Sequence, residues 1–222
     1  MLTLRELARR RFFAGAFVAT AVLVGVTGWG FSYLPHLHHR GVPVGHLEVL
    51  AMTALLMILI AYLFSFLLVM ASVFVASPSL ANDVESGVLL PVLTRPLSRS
   101  AILGGKAIAL ALVIAAYAFL TGAIEFAIVR FATGYTPPHP LQTLLYLSLC
   151  GIVMMMLALL LSTRIPAIAA SIIAIVLFIV ARLGGVAQSL GIFYDNETVR
   201  HAGTLSQLLL PSDAMWQSAA YA

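Results

Sequence analysis

Charge is what this sequence most lacks. Asp, Glu, Lys and Arg make up 9% of its 222 residues, against roughly 25% in soluble domains. With 62% hydrophobic residues and a mean hydropathy of +1.06, too little polar surface exists to coat a water-facing globule. Cysteine is almost absent as well. Cys150 stands alone inside an apolar block, which excludes an intrachain disulfide framework and a thiolate metal cluster. The short alternating segments of a membrane β-barrel are missing, and no internal repeat or low-complexity tract interrupts the chain. What is present is a series of apolar blocks near the ~20 residues that cross a ~30 Å hydrocarbon core. A backbone in lipid must satisfy its own hydrogen bonds, so these blocks are helices. The expected fold is all-α, a polytopic transmembrane helical bundle forming one domain over residues 1–222.

Catalytic and nucleotide signatures are missing too. No G-x-x-x-x-G-K-[ST] occurs; Gly104-Gly105-Lys106 has neither the spacing nor the hydroxyl residue. No H-E-x-x-H or G-x-S-x-G occurs, and Glu125 has no second intramembrane carboxylate beside it. The chain is therefore not expected to be an enzyme or to bind a cofactor. A net charge of +4 invites a nucleic-acid reading, but the cations are scattered at segment ends, where a membrane protein places them to set its orientation. The first apolar run, Phe12 to Leu34, is too long for a signal peptide, and Pro35-His36-Leu37-His38-His39 is no small-residue cleavage site.

Along the chain, residues 1–11 read as a basic amphipathic helix on the membrane surface. Leu4 and Leu7 share one face, while Arg5 and Arg9 share another, with Arg10 and Arg11 following. Spans are expected over about Phe12–Leu34 and Val49–Ala76. A third runs from a Ser98-capped start through Lys106 to about Arg130, a fourth over Leu141–Ser162 and a fifth over Ala167–Ala181. Ser77-Pro78 reads as the start of a separate short helix, with serine as cap and proline in the first turn, ended by Gly87. Residues 183–222 hold apolar pieces too short to span, and read as external re-entrant helices. With the N-terminus inside, one side carries eight cations (Arg5, Arg9, Arg10, Arg11, Arg95, Arg99, Lys106, Arg164) and the other four (Arg40, Arg130, Arg182, Arg200). That asymmetry makes the N-terminus and the 77–101 loop cytoplasmic.

The 77–101 loop carries the most specific pattern. It holds Glu85-Ser86-Gly87, an apolar stretch from Val88 to Leu93, then Thr94-Arg95-Pro96-Leu97-Ser98-Arg99, and Lys106 opens the next span. This order resembles the signature of ABC-2-type permeases, the membrane subunits of ATP-binding-cassette exporters. It is most similar to the group that includes the permease of nitrous-oxide-reductase maturation. Leu209-Leu210-Pro211-Ser212-Asp213 resembles that group's Leu-Pro-Thr-Asp stretch. Pro91 within the apolar stretch departs from the pattern, and such permeases have six spans, so a sixth is expected beyond Ala222.

The resemblance implies a coupling helix that docks on a separate ATPase subunit, which would bind ATP and Mg. Leu89, Val92 and Leu93, with Val88, would form the apolar anchor. Arg95 and Arg99 would form a charged rim, with Gly87 and Pro96 bounding the helix. Glu85 would brace the loop against Arg9 or Arg10. The other implied partners are a second permease subunit, identical or related, and membrane lipid; nucleic acid is not among them. The implied location is the inner (plasma) membrane of a prokaryote. The competing reading is a non-transporting anchor or mechanotransmission subunit acting on an external protein.

Two further sets of residues stand out. Glu125 is the only acid within an expected span, where a central charge costs ~2.5–3.5 kcal/mol to insert. It is a candidate for gating or for a structural ion pair with Arg182. His36, His38, His39 and His46 crowd one loop but lack a diagnostic metal spacing, and a polar loop is the simpler reading. Trp29, Tyr33, Tyr135 and Trp216 read as interfacial anchors.

Overall fold

A computed structural model describes residues 11–36, 38–39, 42–43, 45–85, 99–193, 197–198, 201 and 212–221. The expected interfacial helix over residues 1–11, apart from Arg11, lies outside them, as does the core of the coupling loop over 86–98.

Six helices carry the architecture among the described residues: α1 (Arg11–Tyr33), α2 (His46–Glu85), α3 (Arg99–Thr133), α4 (Pro140–Leu161), α5 (Ala167–Phe193) and α6 (Ser212–Tyr221). Between α1 and α2 a short 3-10 turn, Leu34–His36, leads into two two-residue strands. These pair antiparallel, His38 with Pro43 and His39 with Val42. Four helices are long and apolar enough to cross a membrane over Leu47–Ser79, Ala101–Thr133, Pro140–Leu161 and Ala167–Gln188, and α1 adds a shorter apolar stretch, Phe17–Tyr33. The fold is an all-α, polytopic membrane bundle.

Its surface and interior are distributed as lipid requires. Large apolar side chains such as Val22, Leu55, Leu112, Leu145 and Ile172 face outward. Serine and threonine lie inside, where their hydroxyls return to the carbonyl three or four residues earlier. Thr53 donates to Val49 (2.8 Å), Ser72 to Leu68 (2.7 Å), Thr121 to Tyr117 (2.7 Å) and Ser171 to Ala167 (2.9 Å). A hydroxyl bonded to its own helix needs no water, so it adds little cost inside the bundle. The central core joins Leu68 and Val73 of α2, Leu110 and Ile114 of α3, Met154 and Ala158 of α4, and Phe178 of α5. Three helices pack closely at Gly151, where an added Cβ would lie 3.1 Å from both Ile114 Cγ2 and Leu68 Cγ.

Two expected boundaries are corrected. First, Ser77-Pro78 starts no new helix, because α2 runs unbroken through Pro78 to Glu85. Ser77 is fully buried, so the position lies inside packed structure and not in a surface loop. Ser79 Oγ donates back to the Ala76 carbonyl (2.6 Å), and Lys106 Nζ on α3 donates to the Ser79 carbonyl. Side-chain and interhelix bonds thus support the helix around a residue that cannot donate its own. Second, the fifth span does not end at Ala181, since α5 continues to Phe193. Arg182 is not a boundary charge but a buried one, so the helix has no reason to stop there.

The turn between α3 and α4 is built locally. Gly134 adopts φ 75°, its N–H bonds the Arg130 carbonyl at 3.0 Å, and left-handed backbone of this kind ends helices most readily at glycine. Pro140 then opens α4 in its first turn. At the other end of α4, Ser162 and Ile165 donate back to Ala158 and Leu161 (3.0 and 3.1 Å), and α5 begins directly after Pro166. The short helix α6 does not stay outside the bundle. It packs chiefly on α4, with Met215 against the central core and Ala219 between Phe64 and Leu147.

Candidate functional site

Three charged side chains lie buried among the described residues: Glu125 at 4%, Arg182 at 6% and Lys106 at 9% exposure, the last already tied to the Ser79 carbonyl. Burying charge in a membrane is costly enough that each demands an account of its surroundings.

Arg182 is held by α2, α5 and α6. Its Nη2 donates to Ser65 Oγ. The guanidinium lies over three rings, with its central carbon 4.6 Å from the centroid of Trp216, 4.9 Å from Tyr62 and 5.2 Å from Phe178. Tyr62 and Trp216 meet each other edge to face at 5.4 Å. The planar, weakly hydrated guanidinium suits stacking between aromatic faces. Arg182 therefore joins α6 to the body of the protein, because Trp216 is the α6 residue it stacks on.

Glu125 is held by α1 and α3. Thr27 Oγ1 donates to Glu125 Oε2 at 2.8 Å, and also approaches the Val24 carbonyl at 2.9 Å. The other carboxyl oxygen, Oε1, is buried and has no hydrogen-bond partner among the described residues. Glu125 lines a small cavity of about 30 Å³ between α2, α3 and α4, walled by Met57, Ile60, Phe64, Gly122, Leu144 and Leu147. This cavity shares Met57, Ala61, Phe126 and Thr143 with a larger cleft of about 140 Å³, bordered by Tyr135, Pro137 and Pro138 of the α3–α4 turn and by Ala219 of α6.

The expected pairing of Glu125 with Arg182 is not formed. The carboxylate takes a hydroxyl from α1, whereas the guanidinium takes a hydroxyl and three rings on the far side of α2. One sequence does not show which helices are neighbours, and this is why the partner was misassigned. Thr27, Ser65 and Tyr62 were missed for the same reason. Their only local signal is a polar atom inside an apolar run. Trp216 is part of the Arg182 stack, whereas Trp29 and Tyr33 are exposed and meet edge to face at 5.1 Å.

The α1–α3 contact has a second polar bridge, a hydrogen bond between Thr20 and the Tyr117 hydroxyl, with Phe17 edge-on to the Tyr117 ring at 5.6 Å. Of the coupling residues, Glu85 ends α2 and Arg99 begins α3. Gly87, Leu89, Val92, Leu93, Arg95 and Pro96 lie outside the described residues, as do Arg5, Arg9 and Arg10. His36 is exposed, and His38, His39 and His46 have described backbone only. Among the described residues, no group of three His, Cys, Asp or Glu side chains is placed to hold a metal.

No curated protein and no solved structure matches the chain. A family model described as a protein of unknown function, DUF2705, matches residues 5–213. Nearly the whole bundle, from before α1 to the start of α6, falls within that match, and the chain belongs to the DUF2705 family.

Proposed function

We propose that this protein is the membrane subunit of an ATP-driven transporter of the ABC-2 permease type. In this reading two such subunits form the path, and separate ATPase subunits dock on the chain between α2 and α3. The N-terminus is cytoplasmic, in the plasma membrane of a prokaryote. The motif from Glu85 to Lys106 supports the family, and helix length supports the mechanics.

The observation that carries the reading is the overshoot of α2 and α3. α4 has 22 residues, about 33 Å of helix, which is close to the thickness of a hydrocarbon core. α2 has 40 residues and α3 has 35, about 60 and 52 Å. Part of the extra length falls at the shared end where residues 86–98 join them. Lys106 ties the two helices there through the Ser79 carbonyl. Residues 80–85 of α2 and 99–105 of α3 continue past that tie. A force applied to the connecting segment is thus delivered to two long helices already coupled at the membrane edge. Nucleotide must bind one state better than the other for such a force to shift the equilibrium.

The test is co-purification with the ATP-binding-cassette subunit encoded beside it, for wild type and for Glu85→Ala with Arg99→Ala. The ATPase is expected to co-purify with wild type and to lose association or coupled turnover in the double variant. A wild-type protein that retains no ATPase, or a double variant with unchanged association and turnover, refutes the reading and favours a subunit that acts on an external partner.

A further inference from the structure

We propose that the paired cavities beside Glu125 form a binding site for a small lipophilic ammonium compound, with the carboxylate as its anchor. The inference does not depend on whether an ATPase docks. It starts from Glu125 Oε1, a buried acceptor with no partner among the described residues, on a residue that lines a cavity. A buried carboxylate oxygen left unbonded is costly, so nearly all such atoms in folded proteins have a donor. The group that fits here must therefore bring a donor with it.

The walls define the rest of the ligand. Among the cavity residues only Glu125 and Thr143 carry side-chain oxygens, and the Thr143 hydroxyl donates to the His139 carbonyl at 3.2 Å. A metal ion needs several oxygen or nitrogen ligands in its first shell, and this cavity lacks them. An ammonium needs one strong acceptor and tolerates an apolar body. Phe64 and Phe126 bring aromatic rings to the wall, and such rings attract a cation. Met57, Ile60, Leu144 and Leu147 accept hydrocarbon. The inner cavity, about 30 Å³, has room for the head group, and the adjoining cleft of about 140 Å³ has room for the body. Ala61 lies on the wall common to both. Apolar pockets with one well-placed polar group are the usual form of small-molecule sites.

Benzylamine, protonated at neutral pH, is the probe, and benzyl alcohol is its neutral counterpart. Equilibrium dialysis of the purified full chain in detergent would compare wild type, Glu125→Gln and Ala61→Leu. Benzylamine is expected to bind wild type saturably. Glu125→Gln removes a charge-assisted hydrogen bond and is expected to weaken binding by at least about ten-fold. Ala61→Leu fills the junction without touching the carboxylate, and is expected to weaken benzylamine similarly. Benzyl alcohol is expected to show no difference between wild type and Glu125→Gln. If Glu125→Gln does not fold, the Ala61→Leu comparison decides. Absence of saturable binding to wild type, which would leave the cavity holding water only, overturns the proposal. So does benzylamine binding that Glu125→Gln leaves unchanged, or that a folded Ala61→Leu leaves unchanged.

Discussion

Replacing Gly151 with alanine places one methyl group where three helices pack closely. That Cβ would lie 3.1 Å from Leu68 Cγ and Ile114 Cγ2, and 3.2 Å from Leu68 Cδ2, against ~3.5–4.0 Å for relaxed carbon contacts. Leu68 is 1% exposed and Ile114 6%, and the cavity both line is only about 20 Å³, so neither neighbour has much space to move into. One of the crowded atoms, Leu68 Cγ, is a branch point and not a free methyl. Overpacking of this kind costs ~1–3 kcal/mol. Alanine returns ~0.5–1 kcal/mol as a better helix former than glycine. The net loss is about 0.5–2 kcal/mol, or roughly 1–8 °C at ~2–4 °C per kcal/mol for a chain of this size. Helix association in lipid depends on packing without a hydrophobic drive between helices, so no other term conceals the effect. Two controls bracket it. Gly25 has nothing within 4 Å of an added Cβ, while Gly122 would press on Leu144 Cδ2, a terminal methyl beside the Glu125 cavity. Thermal unfolding in one detergent should rank Gly25→Ala highest, then Gly122→Ala, then Gly151→Ala, with Gly151→Leu lowest. A Gly151→Ala protein that melts with Gly25→Ala would refute the account of core packing.

Two further substitutions test the buried charges. Thr27→Val removes the only hydrogen bond made to Glu125 among the described residues and should cost ~1–3 kcal/mol. Thr27→Ser should retain most of that, and Glu125→Gln should reduce the penalty of Thr27→Val in a double-mutant cycle; a cycle with no coupling would remove the Thr27–Glu125 bond from the account. Arg182→Lys keeps the charge but loses the plane that stacks on three rings. It should lower stability by ~1–2 kcal/mol and expose α6 to limited proteolysis before the rest of the bundle, whereas an unchanged cleavage pattern would contradict the role given to Trp216.

Hydropathy located the helix ends well where an apolar run meets a polar turn. α4 was expected over 141–162 and occupies Pro140–Leu161, and α3 was expected to end near Arg130 and ends at Thr133. It failed where a residue's usual meaning was reversed by its neighbours. Pro78 and Arg182 are ordinary signs of a helix ending, and both lie inside helices. Neighbouring helices explain this, with Lys106 of α3 bonded beside Pro78 and α2 and α6 enclosing Arg182, and such neighbours are tertiary. Glu125 was legible as the one acid within a span, because composition alone makes it anomalous. Its partner was not, because Thr27 is 98 residues away and nothing in a single chain announces that α1 packs on α3.

The α1–α3 contact has a mechanical consequence. The two helices run in the same direction, and their bridges rise together, from Thr20 with Tyr117 to Thr27 with Glu125. Gly28 sits against Ile128 just beyond them, its added Cβ 3.4 Å from the Ile128 side chain. Two polar rungs about two turns apart resist both sliding and rolling, since either motion would strand a hydroxyl or a carboxylate in hydrocarbon. The contacts of α2 with α4 in the central core are largely apolar, whereas Arg182 binds α5 to α2 through Ser65 and Tyr62. Apolar surfaces of similar shape can shift by small steps at low cost. A change of shape in this bundle would therefore carry α1 and α3 as one rigid beam and concentrate its shear between α2 and α4.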